Sequence, residues 1–455
     1  MSTFQIVVLS AFGTFAVAGV LIFAFLVGSN TSATIGEVVV WGTFDEAAFQ
    51  TVLRQMAEND GRLRQVTYVQ KNEDTYLTEI TNALASGTGP DLFILRQDET
   101  VREAGKIFPV PYEQLSRENF RNLWVEAADP FLGPEGVMGI PFAVDPFVLY
   151  WNRDMLATGG IAKPPQYWED MYEVTHAISK KTDAGTLTKS AIALGEYANV
   201  NHAKQILSML IMQAGGRITG RDGAGTLMPS LTARTGETSQ PGESALRFYT
   251  QFSNPSTQDY SWNRSLPESR VAFAQGDLAL YIGPASEEPL VRRLNPNLNF
   301  AIATSVPQIK NSTRTVDTGY AYAFAIPRAS PNRQGALTAA FLLAGTEGSQ
   351  SFSLAFGLAS ARRDILDSVI GCDACLKSPG SCAAQIEAQC RAMQIQGNDV
   401  VFSRMALLVR TWEDPDPDET ERIFRDMIES VTSGAARTVE AVQRAEQAMR
   451  QLTTQ

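Results

Sequence analysis

GIPFAVDPFVLYWNRDML, residues 139–156, sets a single carboxylate, Asp145, inside an apolar run, with Pro141 ahead of it and Pro146 directly after. A charge buried without a partner is expensive. Each proline also lacks the N–H that a central sheet position donates. The stretch therefore reads as a strand-like crossover between two bodies, outside any sheet centre, with Asp145 turned into the gap.

Working outward, the flanks supply the two bodies. Upstream, EVVVW (37–41) is a β-branched strand. Asp45 stands where a cap is needed, ahead of Phe49, Val52, Leu53 and Met56 at helical spacing. A second strand (64–69), a helix ending at Gly87 and a third strand, DLFIL (91–95), follow. Strand alternating with helix predicts an α/β lobe with a mainly parallel sheet. Ligands of such sheets sit beyond the carboxyl ends of the strands. Those ends are residues 41–45 and 96–98. Downstream, PPQYWEDM (164–171) opens a helix, 203–213 is a buried helix, and 220–242 reads as a Gly/Thr/Ser surface loop. Strands at 277–283, 300–304 and 319–327 bring the chain across between the bodies again. Two amphipathic helices close it. A chain of 455 residues suits two lobes better than one core.

Charge and composition narrow the function. The net charge of −11 excludes the basic footprint that nucleic acid needs, and only His176 and His202 are available for a histidine base or a histidine metal site. DPDPDETERIF (414–424) invites a calcium loop. The sixth and twelfth positions would have to be Gly and Glu, and they are Glu419 and Arg425. The acids read instead as the dipole-matched start of a helix. No nucleophile elbow, HExxH or dinucleotide fingerprint is present. The aromatics Trp41, Tyr320, Tyr322 and Trp412 lie beside polar turn residues, where a flat apolar face next to hydrogen-bonding groups suits a pyranose ring.

Residues 1–36 carry no charged side chain, and the run 6–27 is apolar and long enough to cross a bilayer. It exceeds a usual signal h-region and lacks preceding Lys or Arg, so an uncleaved anchor is expected; Thr31-Ser32-Ala33 as a cleavage site is the alternative. Cys372, Cys375, Cys382 and Cys390 fall in one window. Outside the cytoplasm they read as local disulfides of open connectivity, with a four-cysteine zinc knot as the rival.

Five segments, taken in order, carry a resemblance: VVVWGTFDEAAFQTVLRQM; GTGPDLFIL; GIPFAVDPFVLYWNRDMLATGGIAKPPQYWEDM; ESRVAFAQGDLALYIGPASE; and GYAYAFAIPRASPN. The chain resembles the extracellular solute-binding proteins of ABC importers, the family-1 group that includes maltodextrin-binding protein. Tyr167 stands where the family often has Thr, and the family's lipid-attachment cysteine is missing. The resemblance implies an α/β, two-lobed periplasmic-binding-protein-like fold with hinge crossovers, plus one N-terminal transmembrane helix. The expected division is an anchor and spacer (1–35), lobe 1 (36–143 with 319–358), lobe 2 (144–306 with 359–455), an interlobe link (307–318) and a cysteine-bearing insertion (372–390).

By position, the resemblance implies ligand contacts at Trp41, Asp45, Arg96, Gln97, Asp145, Gly283, Pro284, Ala285, Ser286, Gly319, Tyr320 and Trp412. Maltodextrin binders carry a stacking tryptophan where this chain has Ala285, which argues against a maltose-like ligand. The implied function is a monomeric receptor, anchored by its N-terminal helix on the outer side of the cell membrane. It captures a small solute, a sugar or oligosaccharide, by hinge closure and delivers it to the transmembrane subunits of an ABC permease. No cofactor, metal, nucleic acid or catalytic residue is implied. The alternatives are a ligand-sensing module coupled to a membrane signalling partner, a glycoside-processing enzyme using two carboxyls such as Asp45 and Asp145, and a structural surface protein.

Overall fold

Valine-rich Val38–Gly42 (β1) is built to lie between two strands. It pairs in parallel with Val66–Gln70 (β2) on one side and Leu92–Arg96 (β3) on the other. The computed structural model describes residues 35–453 except 236–239, 313, 378–381, 393–394 and 396. The apolar run 6–27 and its expected transmembrane helix lie outside the described residues. Among the described residues no helix is long and apolar enough to cross a membrane.

Helix Glu46–Asn59 follows β1 because the Asp45 carboxylate accepts the Ala48 N–H (2.8 Å), and its Phe49, Val52, Leu53 and Met56 face is buried on the sheet. Helix Tyr76–Ser86 links β2 to β3 and ends at Gly87, whose φ of +72° is the left-handed geometry glycine adopts without penalty. Val110–Pro111 (β4) and Gly136–Val137 (β5) form a small antiparallel pair.

Ile140–Asn152 (β6) is the longest strand and overturns part of the sequence reading. It is a crossover between bodies, yet it occupies the centre of the sheet and not an edge. The strand order is β2-β1-β3-β13-β6-β11-β8-β7, with Lys180–Lys181 as β7, Leu187–Ile192 as β8, Leu278–Pro284 as β11 and Gly319–Ala325 as β13. Residues 140–146 pair with β13, and residues 147–151 pair with β11. Pro146 falls at that handover, and the next donor, Phe147 N–H, goes to the Thr318 carbonyl (2.8 Å). Pro141 sits opposite Ala323 at a register shift. Each missing N–H thus falls where the ladder is already irregular. Phe300–Ile302 (β12) and Ala359–Ser360 (β14) add to β6 in the second and first lobes respectively.

The stretch read as a surface loop contains a small antiparallel hairpin, Thr219–Arg221 (β9) with Leu227–Pro229 (β10). Asp222 organises its turn by accepting the Ala224 and Thr226 N–H groups. Helix Ala203–Gln213 is buried in the second lobe, where Pro417–Thr432 and Pro241–Gln251 pack on it. Helices Arg363–Lys377 and Gly397–Ala406 pack instead on β14, and the latter also on β6. Cys372 pairs with Cys390, and Cys375 with Cys382.

Gly319 passes close to the crossover strand at the handover from β13 to β11. A Cβ there would stand 2.6 Å from the Asp145 carbonyl oxygen and 3.0 Å from the Pro146 Cα, both backbone atoms. Gly319→Val is therefore expected to lower stability by roughly 1–3 kcal/mol or more through overpacking, read as a fall in the urea unfolding midpoint.

Candidate functional site

The carboxyl ends of β1 and β3 open toward the second lobe, as strand order requires. Tyr76 ties them together, its hydroxyl donating to the Trp41 (2.8 Å) and Ile94 (2.9 Å) carbonyls. A cavity of about 520 Å³ lies beyond these ends, lined by Thr43, Glu73, Arg96, Glu99, Arg102 and Tyr322 from the first lobe and by Pro417 and Asp418 from the other. Across it Arg102 meets Asp418 at 2.7 Å and Asp416 at 3.5 Å. Asp416 also caps helix Pro417–Thr432 by accepting the Asp418 and Glu419 N–H groups, so the acidic stretch 414–424 is the helix start its residues suggested.

Of the sequence-derived contacts, Arg96 lines this cavity, and its guanidinium lies 4.7 Å over the Tyr320 ring while pairing with Asp98 at 2.6 Å. Gln97 is buried and accepts the Ala321 N–H (2.7 Å), fixing the turn after β3 to β13. Trp41 and Asp45 flank the lining residue Thr43. The Lys71 ammonium sits 3.7 Å over the Trp41 ring, and Asp45 is engaged as a helix cap. Gln97, Gly319, Tyr320 and Trp412 come together around a void of about 20 Å³ at the interlobe seam, with Lys204 and Asp414.

Asp145 is only 2 % exposed and both its oxygens are taken: Oδ1 accepts the Ser286 N–H (3.1 Å) and Oδ2 the Ser286 hydroxyl (2.6 Å). Burial pushes its carboxyl up to about 6, against the pull of those two bonds. Asp145 thus pins the turn after β11 to the crossover strand. Gly283, Pro284 and Ala285 belong to the same pinned turn. The Pro284 carbonyl accepts the Tyr150 hydroxyl (2.7 Å), Ala285 is buried, and a Cβ on Gly283 would lie 2.8 Å from Glu287. Glu287 gathers His202 (2.9 Å), Arg270 (2.8 Å) and Tyr281 (2.5 Å). Burial would raise its carboxyl, and these donors hold it below its usual value.

The sequence reading missed Glu99, Arg102, Lys204, Asp414 and Asp418. Lys204 was signalled by being the lone cation in an apolar helix. Its ammonium contacts Asp414 (2.8 Å), Thr420 (2.7 Å) and the Pro417 carbonyl (3.2 Å). Burial lifts the Asp414 carboxyl to about 6, while Lys204 draws it down. Burial likewise lifts Glu99 to about 7, partly offset by Arg96.

A second cavity, of about 1140 Å³, shares no lining residue with the first. It runs between residues 117–132 of the first lobe, residues 212–221 of the second, link residues 309–312 and 314–316, and residues 410–413.

Two outcomes follow from this packing. Lys204→Met leaves Asp414 buried without its cation and is expected to cost roughly 3–5 kcal/mol in chemical denaturation, with Lys204→Met/Asp414→Leu recovering much of that loss. For Asp145, the folded carboxyl titrates near 6 against an ordinary 3.8. Its contribution to stability is therefore present in full below the unfolded value and lost as pH rises through the folded one. Asp145→Asn is expected to flatten the unfolding midpoint across that window, whereas Asp145→Ala, stripped of both Ser286 bonds, is expected to lose about 1–3 kcal/mol.

Comparison with known proteins agrees with this architecture. A binding protein of Brucella abortus (strain 2308) is 22 % identical over 241 residues, covering 50 % of this chain and 53 % of the relative. The chain spans about half the length of the curated relatives it matches. Solved structures carry the same fold. The cyclic α-maltosyl-1,6-maltose binding protein of Arthrobacter globiformis is 14 % identical, with 92 % of this chain and 98 % of that one covered and a TM-score of 0.70. An ABC transporter solute-binding protein of Thermotoga lettingae, bound to α-D-tagatose, is 19 % identical, with 92 % and 100 % covered and a TM-score of 0.62. The model of the bacterial extracellular solute-binding protein matches residues 45–348, and the chain belongs to that family.

Proposed function

We propose that this chain is the substrate-binding component of an ABC importer. It takes a sugar or oligosaccharide between its lobes outside the cell membrane and hands it to the permease, with the apolar run 6–27 as the membrane tether. The observation that carries the reading is the 520 Å³ cavity beyond the carboxyl ends of β1 and β3, walled by both lobes and spanned by the Arg102–Asp418 ion pair. Arg96, Glu99 and Glu73 supply donors and acceptors for hydroxyls, and Tyr76 and Tyr322 supply ring surface. Several neighbours of the same fold are, by their own descriptions, sugar binders. Capture works through differential affinity: a ligand that touches both lobes favours the closed arrangement by the contacts it makes only there.

A thermal-shift panel on the full chain tests this, with mono- and oligosaccharides set against amino acids, polyamines and peptides. A sugar is expected to raise the melting temperature in a saturable, concentration-dependent way. Arg96→Ala is expected to weaken that sugar at least tenfold. A hit confined to amines or peptides would discard the sugar. Steady release of new reducing ends from an oligosaccharide would replace the receptor by a glycoside-processing enzyme.

A further inference from the structure

The larger cavity carries a charge that the rest of the chain does not predict. Its lining holds seven cationic side chains (Arg117, Arg121, Arg217, Arg221, Lys310, Arg314 and Arg410) against three acids, Glu126, Asp129 and Glu413. The chain as a whole has 38 basic and 49 acidic residues, so ten charged residues taken from it at random would include only about four cations. Each acid is already matched: Asp129 by Arg121 (3.4 Å), Glu126 by Arg410 (2.7 Å) and Glu413 by Arg221 (2.5 Å). Among the described residues, the side chains of Arg117, Arg217, Lys310 and Arg314 have no carboxylate within ion-pair distance; the one carboxylate bonded to any of the four, Glu169, accepts the Lys310 backbone N–H (3.1 Å).

These four come from three places: the first lobe, the second lobe and the link between them. Arg117 is held in place by the Gly133 carbonyl (2.7 Å) and by the Tyr112 ring, 4.3 Å from its guanidinium. Trp412 adds an aromatic wall to the same cavity. Like charges facing one another across a concave space raise the local potential and concentrate anions there. We propose that this cavity is a second binding site, separate from the cleft below β1 and β3, for a small anionic solute carrying carboxylate or phosphate groups.

Calorimetric titration of the full chain at low ionic strength, with pyrophosphate, a galacturonate disaccharide and the neutral galactose disaccharide as probes, tests the proposal. At least one of the two anions is expected to bind saturably and to weaken as salt is added. Whichever binds identifies the group recognised. Arg217→Gln/Arg314→Gln, which alters two exposed side chains, is expected to weaken that anion at least tenfold. Arg102→Gln, in the other cavity, is expected to leave it unchanged. Failure of both anions to bind would overturn the proposal. So would binding that survives Arg217→Gln/Arg314→Gln, or that falls equally in Arg102→Gln. A loss of sugar binding in the cleft would bear on the receptor reading alone, since the two cavities share no residue.

Discussion

Every strand of the main sheet is linked to β6, directly or through the strands between, and β6 changes partner at Pro146. Up to that residue it belongs to β13; after it, to β11. A strand shared in this way carries one hydrophobic core continuously from the first lobe into the second. The handover is held by the Asp145 carboxylate, whose two oxygens reach across to Ser286 on the turn that leaves β11. The carboxylate is desolvated, which on its own is unfavourable, and the two donors are what make an acid tolerable there. The Asp145 backbone carbonyl lies so close to Gly319 that a Cβ there would stand 2.6 Å from its oxygen.

A second set of charges sits one step further out, at the seam itself. Lys204 and Asp414 are both almost fully buried and fix the start of helix Pro417–Thr432 on helix Ala203–Gln213. That placement sets Asp416 and Asp418 opposite Arg102 of the other lobe. The interlobe ion pair thus depends on a buried pair that belongs to one lobe alone. Pairs of this kind contribute little net stability but fix one geometry over its neighbours. Here the fixed geometry is the height at which the second lobe's acids face the first lobe's arginine.

The α/β alternation, the helix cap at Asp45, the acidic helix start within 414–424, and the glycine stop at Gly87 were legible because each rests on local chemistry within a few residues. The crossover was legible from its composition, but not its place in the sheet. Prolines argue against a central strand only when every position needs its ladder bond, and at Pro141 and Pro146 the partner strands are irregular or changing. The role of Asp145 was only half legible. Its acid-in-apolar-run signature was read as a carboxylate turned into the gap, whereas the side chain is buried and its oxygens are taken by Ser286, 141 residues away. Arg102 and Glu99 gave no signal at all, and Asp418 only that of an acidic helix start, since they look like ordinary charged residues until the lobes are brought together.

The aromatics show the same divide and bear on what the cleft can recognise. Trp41, Tyr320 and Trp412 were singled out as flat platforms, and each has a cation near its ring: Lys71 at 3.7 Å, Arg96 at 4.7 Å and Lys204 at 5.5 Å. A ring face covered by a cation is already partly desolvated and already paired through its quadrupole. A sugar stacking on that face must displace the cation or use the opposite side. All three cations are also held by carboxylates: Lys71 by Glu79 (3.2 Å), Arg96 by Asp98 (2.6 Å) and Lys204 by Asp414 (2.8 Å). The faces of Trp41 and Tyr320 are therefore not bare stacking platforms but members of cation–aromatic pairs whose cations are themselves ion-paired.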